Sequence, residues 1–352
     1  MTNKPKSSLS FTKPFISGIS TVVGSKLVKL EEEADTLSLN SSDVLRLKKS
    51  VGLSQRYIVS NINQTTVDLA TEAAQALFLQ MDIAPDSIDG IIFVTQSPDY
   101  SAPASAIKLQ NILGVTNGAF AFDIRLGCSG FIYGLYQAFS LIQAGLNRVL
   151  LCVGDVASRI VDQKDHAIAP LMGDAASAII IESGSSISHF QLYSDGSGEE
   201  ALIIPNSGLR VNSSFNINIK TMIMNGGEVF NFTLKRVPSM VEQILSYASK
   251  NVDQIDNFVL HQPNAYILRT LRKRMGIPED KLLSDTQSIY GNQNSASIPG
   301  TINGFLHESF STKIQMNLFA GFGIGLSWGA AIVQTDKIFC RETTLSSGFC
   351  AG

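Results

Sequence analysis

Residues 122–145 read Phe122-Asp-Ile-Arg-Leu-Gly-Cys128-Ser-Gly-Phe-Ile-Tyr-Gly-Leu-Tyr-Gln-Ala-Phe-Ser-Leu-Ile-Gln-Ala-Gly145. A short apolar and charged lead-in reaches Gly127, and Cys128 opens a long apolar run. Phe131, Ile132, Tyr133, Leu135, Tyr136, Ala138, Phe139, Leu141 and Ile142 leave almost no polar face, which predicts a helix buried in the core and stopped at Gly145. Glycines at 127 and 130 let other backbone come close to the sulfur. A cysteine at the first turn of such a helix meets unpaired N–H groups and the positive end of the helix dipole, and both favour the thiolate. A thiolate beside free N–H donors is a nucleophile with an oxyanion site at hand. The competing reading is a small buried hydrophobe, a common use of free cysteine.

Outward from this stretch, Thr65–Met81 reads as an amphipathic helix, Gly90-Ile-Ile-Phe-Val-Thr as a buried parallel strand, and 104–113 as a helix ending at Gly114. Pro14–Val23, Arg148–Val153 and the run from Ala175 are further strands. The second half repeats the plan. Asn257-Phe-Val-Leu-His261 resembles 90–95, Asn264–Met275 ends at Gly276 as 104–113 ends at Gly114, and Leu282–Tyr290 leads to Gly291-Asn292 as Phe122 leads to Gly127-Cys128. Ile314–Ala320 and Trp328–Gln334 complete the match, at an offset of roughly 165 residues. The reading is a duplicated α/β unit, with each half burying a shared helix against the other. A pseudo-twofold axis then brings the helix starts at Cys128 and Asn292 together, and His261 ends the strand equivalent to the one ending near Gln96.

The chain divides on this plan into a loose N-terminus (1–13), a first half (14–184), a Ser-, Gly- and Asn-rich insertion (185–230), a second half (231–336) and a polar tail (337–352) whose Cys340 and Cys350 are incidental. With 44% hydrophobic and 16% charged residues over 352 positions, the composition is that of a compact chain with much buried surface. A net charge of −3 gives no general attraction to nucleic acid. No apolar run is long enough for membrane insertion, and the N-terminus lacks the apolar core of a signal peptide. Four cysteines without C-x-x-C spacing point to the reducing cytoplasm and to no metal site.

Gly127-Cys128-Ser-Gly-Phe, Leu260-His261-Gln-Pro-Asn264, Tyr290-Gly-Asn292-Gln-Asn-Ser-Ala-Ser-Ile-Pro299, Gly173-Asp174 and the glycine-rich Ala320–Gly329 occur in the order found in one family. On these motifs the chain, over about residues 15–335, resembles a β-ketoacyl-acyl carrier protein synthase III, one of the thiolase-fold condensing enzymes. The resemblance implies an α/β thiolase-like fold of two pseudo-equivalent mixed-sheet halves packed around shared buried helices. It implies that Cys128 takes an acyl group from a thioester, and that His261 and Asn292 hold the thioester oxygen of a malonyl group as carbon dioxide leaves. Both would donate hydrogen bonds to the developing enolate, which suits a neutral imidazole of low pKa. The N–H groups of Cys128 and Ile324 would hold the tetrahedral oxyanion. Partners implied are acyl carrier protein, acyl and malonyl thioesters and a second copy of the chain; no cofactor is resident, since the phosphopantetheine arm arrives with the substrate.

The chain departs from the family pattern in several places. Val44-Leu45-Arg46 lacks the Trp that stacks on coenzyme A, and a nucleotide-binding Arg is replaced near His166. Arg56 survives from an Arg-x-Arg pair, with Ser54 in the other place, and Ile324 replaces the middle glycine of a triplet. Ala102 stands where a bulky residue commonly closes the acyl pocket across the dimer, which implies a medium or long acyl primer. Arg269, Arg272, Lys273 and Arg274 form a basic cluster on the 264–275 helix, read as a docking face for an acidic carrier protein; the plain alternative is a solvated helix end with dipole-matched charges. His166, His189 and His307 carry no assigned role, and Cys152 is packing. The rival activity is a non-decarboxylating acyltransferase moving the acyl group to an oxygen or nitrogen acceptor. A thiolase would need a second cysteine within 321–329, where there is none. A non-enzymatic partner subunit often loses the nucleophile or the His, and both are retained.

Overall fold

The computed structural model describes residues 6–351. Among the described residues, twelve strands build the two large sheets. In chain order they are β1 (Ser8–Phe11), β2 (Pro14–Val23), β3 (Gly90–Val94), β4 (Phe120–Ile124), β5 (Arg148–Asp155), β6 (Ala175–Ser183), β7 (Ser188–Ser194), β8 (Asn257–Leu260), β9 (Ile314–Gly323), β10 (Ser327–Asp336), β11 (Phe339–Cys340) and β12 (Thr344–Leu345). The first sheet runs β11-β2-β6-β5-β3-β4, with β12 also on β2, and the second runs β1-β7-β10-β9-β8. The shared order is plain: β2-β6-β5-β3 in one half corresponds to β7-β10-β9-β8 in the other. The hydrogen-bond senses correspond too, with β3–β5 and β8–β9 parallel and β5–β6 and β9–β10 antiparallel. The duplicated unit expected from the sequence is therefore the fold, a thiolase-like α/β architecture of two mixed sheets.

Between the sheets lies the helix α1 (Gly130–Ala144). Phe131, Ile132, Leu135, Ala138, Phe139 and Ile142 are all fully buried on it. They share one core with Ile92, Val94, Val149 and Leu151 of the first sheet and Phe319, Ala331 and Val333 of the second. Ile298 and Ile302, from the equivalent helix of the second half, enter the same core. Burying a large apolar side chain contributes about 1.5–3 kcal/mol, so this central layer carries much of the cohesion between halves. Gly134 is what allows the helix to lie so close to the first sheet, since a Cβ there would come within 2.8 Å of both Val94 and Leu151.

Three boundaries differ from the expectation. The segment 185–230 is not all insertion: β7 is the first strand of the second half, paired with β1 on one side and β10 on the other. Its sequence, Ser-His-Phe-Gln-Leu-Tyr-Ser, hides this because Ser188 and Gln191 are buried along with Phe190. The rest of that segment includes a short 3-10 turn, a two-stranded ribbon of Leu202–Ile203 against Ile223–Met224, and the first turn of the helix Gly226–Tyr247. The N-terminus is likewise not loose throughout: Ser8–Phe11 is the strand β1, while residues 1–5 lie outside the described residues. The tail is part of the first sheet, with β11 and β12 laid parallel on β2. Asn303 fastens it by donating to the Arg341 carbonyl at 2.6 Å and to Cys340 Sγ at 3.3 Å. Among the described residues no helix is long and apolar enough to cross a membrane, and no cluster of His, Cys, Asp and Glu is placed to hold a metal ion.

Candidate active site

Cys128, His261 and Asn292 line one cavity of about 610 Å³ at the junction of the halves. Each is placed by a short local device. β4 ends at Ile124, and the chain turns so that Ser129, not Cys128, is the N-cap of α1. The cysteine thus sits just before the helix rather than in its first turn. His261 follows β8 directly, its N–H donating to the Ala320 carbonyl of β9 at 2.8 Å. Asn292 is held by its N–H on the Leu171 carbonyl at 2.7 Å and by its own carbonyl, which accepts from Gly173 at 3.0 Å.

Cys128 is 8% exposed, and its sulfur faces Gly323 at the end of β9, where the glycine-rich loop begins. A Cβ on Gly323 would lie 2.9 Å from that sulfur, so only glycine fits the approach. The loop is fixed by Ser129 Oγ, 2.7 Å from Ser327 Oγ, and by Ser327 Oγ donating to the Ile324 carbonyl at 2.7 Å. Burial pushes the Cys128 thiol up to about 12; the charge of Asp155 adds to the rise, and the main-chain groups of Ile324 and Cys128 oppose it. The thiol, rather than the thiolate that the helix start favours, is therefore the resting form. Loss of water around the sulfur outweighs the N–H groups that favour the anion.

His261 is buried and neutral. Loss of water drives its pKa down to about 3, opposed by the main chain of Asn294 beside the ring. Its Nδ1 lies 2.8 Å from Ser297 Oγ, and Phe322 packs edge-on at 5.5 Å. With Nδ1 engaged, Nε2 is left for the cavity. Asn292 Oδ1 accepts from Asn294 N–H at 3.0 Å, which leaves Nδ2 as its donor. The neutral imidazole expected from the sequence is what the burial produces.

Other expected residues fall differently. Ala102 is exposed in the loop before 105–113 and does not line this cavity. The cavity walls nearest the ribbon are instead Met172, Leu202, Met222 and Met224. Ala265–Met275 is a helix capped by Asn264, as read from the sequence, but its basic residues are partly occupied. Arg269 donates to the Ser50 carbonyl at 3.0 Å, Arg272 pairs with Glu279 at 3.1 Å, and Arg274 donates to the Leu234 carbonyl at 3.1 Å. Lys273 is exposed. Arg56 is buried in an ion pair with Glu33. Asp174 is also structural: it accepts from Val59 and Ser158 N–H groups at 2.9 and 2.8 Å. His166, given no role from sequence, lines the outer part of the cavity, where Phe230 and Tyr266 stack at 5.8 Å. Sequence reasoning also passed over Ser297 and Asn294. Their only signal was their place within the Tyr290–Pro299 motif, where several polar residues follow one another.

The two sheets, the shared central helix and a Cys–His–Asn cluster between them define a thiolase-fold condensing enzyme. The comparisons are more particular. Residues 122–196 match the family model of 3-Oxoacyl-[acyl-carrier-protein (ACP)] synthase III, and residues 245–335 match its C-terminal model. The chain is 34% identical over 293 residues to the beta-ketoacyl-[acyl-carrier-protein] synthase III of Caldanaerobacter subterraneus, covering 81% of this chain and 88% of that protein. It is 33% identical over 296 residues to the corresponding Synechocystis protein, covering 82% and 88%. The crystal structure of a 3-oxoacyl-(acyl-carrier protein) synthase from Burkholderia xenovorans superposes with a TM-score of 0.93 at 32% identity, over 97% of this chain and 99% of that one. The chain belongs to the 3-oxoacyl-[acyl-carrier-protein] synthase III family of condensing enzymes.

Proposed function

We propose that this protein accepts an acyl group on Cys128 and condenses it with a malonyl thioester carried by acyl carrier protein, releasing carbon dioxide. One observation carries the reading: the Cys128 thiol, the Nε2 side of a neutral His261 and the free Nδ2 of Asn292 face one cavity. In loading, sulfur attacks the donor thioester carbonyl and the donor thiol departs. The Cys128 and Ile324 N–H groups receive the oxyanion that forms between these events. In condensation, the malonyl carboxylate leaves as carbon dioxide and the electrons pass to the thioester enolate. His261 and Asn292 donate to its oxygen, His261 as the neutral tautomer whose Nδ1 accepts from Ser297 Oγ and whose Nε2 carries the proton. The enolate carbon then attacks the acyl-cysteine carbonyl, the bond from that carbon to the Cys128 sulfur breaks, and a β-keto thioester is released; the Cys128 thiolate takes up one proton from solvent to restore the thiol.

The phosphopantetheine arm of the carrier is part of the substrate, and no resident cofactor enters the reading. The acceptor is carbon rather than oxygen or nitrogen, because simple transfer would make little use of the His261 and Asn292 donors. The reading further includes a homodimer in the cytoplasm, with the loop at Ala102 reaching the partner's acyl pocket and leaving it room for a medium or long primer. The carrier would approach the 265–275 helix, with Lys273 its freest cation.

Intact-protein mass spectrometry and carbon dioxide release test the two half-reactions separately. Cys128→Ala should show no acyl adduct with any donor that acylates the native enzyme. His261→Ala should still load but release carbon dioxide about a hundredfold more slowly, the scale of a lost oxyanion donor. Acylation that persists in Cys128→Ala, or equal loss of both steps in His261→Ala, would overturn the assignment.

A further inference from the structure

Asn294 touches all three of these residues and takes no part in the chemistry above. Its N–H donates to Asn292 Oδ1 at 3.0 Å. Its main chain lies beside the His261 ring. Its Oδ1 accepts the Cys128 S–H at 3.8 Å. Its Nδ2 is buried and, among the described residues, has no hydrogen-bond partner. The residue is 1% exposed and lines the cavity. Its φ of 48° lies in the left-handed region, which asparagine tolerates better than most residues.

We propose that Asn294 is a positioning residue for Cys128, serving both the thiol and the thiolate through the two ends of its carboxamide. The proposal rests on Cys128 as the acylated nucleophile. A carboxamide presents an acceptor and a donor from one planar group. With Oδ1 toward the sulfur it receives the S–H. A half-turn about the last side-chain bond places Nδ2 there instead, as a donor to the anion. Nδ2 leaves no partner behind when it turns, so the exchange breaks only the weak S–H contact. A hydrogen bond to a charged group is stronger than one to a neutral group, so the turned state favours ionisation. In loading, the S–C bond to the donor carbonyl forms, the donor C–S bond breaks, and the departing thiolate recovers the proton that Cys128 gave up.

The plain alternative is that Asn294 is only the residue that the turn requires. Two substitutions separate the readings. Asn294→Gly accepts the positive φ and keeps every main-chain contact, removing the carboxamide alone. Asn294→Asp keeps the shape and the acceptor but removes the donor and adds a charge. The measurement is the rate of Cys128 alkylation by iodoacetamide across neutral to alkaline pH, read by mass at the Cys128 peptide. Asn294→Gly should slow alkylation at neutral pH by about tenfold, the scale of one lost hydrogen bond to a charged group, and move the profile to higher pH. Asn294→Asp should slow it further, and acyl loading should fall in parallel in both. A Gly profile that superimposes on the native one would reduce Asn294 to a turn residue. Alkylation needs neither carrier nor malonyl group, so its outcome is separate from the failure of the condensation reading.

Discussion

At the scale of single residues, the site is governed by dehydration. The same burial that raises the Cys128 thiol to about 12 lowers His261 to about 3, because each environment disfavours the charged form. For His261 the consequence for stability has a definite sign. Between its ordinary value of 6.5 and about 3, the unfolded chain binds a proton that the folded chain refuses, so stability falls as pH drops through that window. Asp155 works in the opposite sense. Burial raises it from 3.8 to about 6, so its contribution falls as pH rises between those values. The His261 effect is isolated by comparing the native chain with His261→Ala, since Asp155 is common to both. The gap between their melting temperatures should move in favour of the variant as pH falls from about 7.5 to 5. A gap independent of pH would mean that His261 is not held neutral. The sequence motifs located Cys128, His261 and Asn292, because each lies in a recognisable local pattern. How strongly burial opposes the Cys128 thiolate was not legible, because desolvation depends on what covers the sulfur, and Gly323 and Ile324 come to it from the other half of the chain.

At the scale of elements, the 265–275 helix shows how a correct boundary leaves its surface chemistry open. Asn264 caps it and Gly276 ends it, both legible as residue types. Which of its cations are free was not legible, because Ser50, Glu279 and Leu234 come to it from other segments. Arg272 is largely covered while Glu279 is exposed, and a pair solvated on one side is weak enough for an acidic partner to displace Glu279. Replacing Arg272 and Lys273 by Glu should raise the apparent KM for carrier-bound substrate at low salt and leave small thioester mimics unaffected. Unchanged carrier kinetics would remove this helix as the docking face. The strand Ser188–Ser194 is the converse case. Its place in the second sheet is clear from pairing, yet its buried Ser188 and Gln191 gave it no strand signature.

At the scale of the whole molecule, the two halves form one body around α1, with the tail laid back on the first sheet. The exposed loop carrying Ala102 does not line the cavity of its own chain, which is why the proposed pocket needs a second copy. Light scattering at micromolar concentration should give a dimer. Ala102→Phe should shift the preferred primer to shorter chains, each lost methylene being worth about 0.8 kcal/mol of burial. A monomer, or a native preference for an acetyl primer, would contradict this arrangement.

By itself, the sequence determined the duplicated α/β plan and the three principal site residues. Repeat period, strand and helix periodicity, glycine stops and short motifs are properties of neighbouring residues, so they survive in one dimension. Only the tertiary structure decided that β7 belongs to the second half, that the tail completes the first sheet, and that Asn294 and Ser297 stand beside the nucleophile and the histidine. Strand partnership and the loss of water around a side chain depend on segments far apart in the chain, and no local pattern records them.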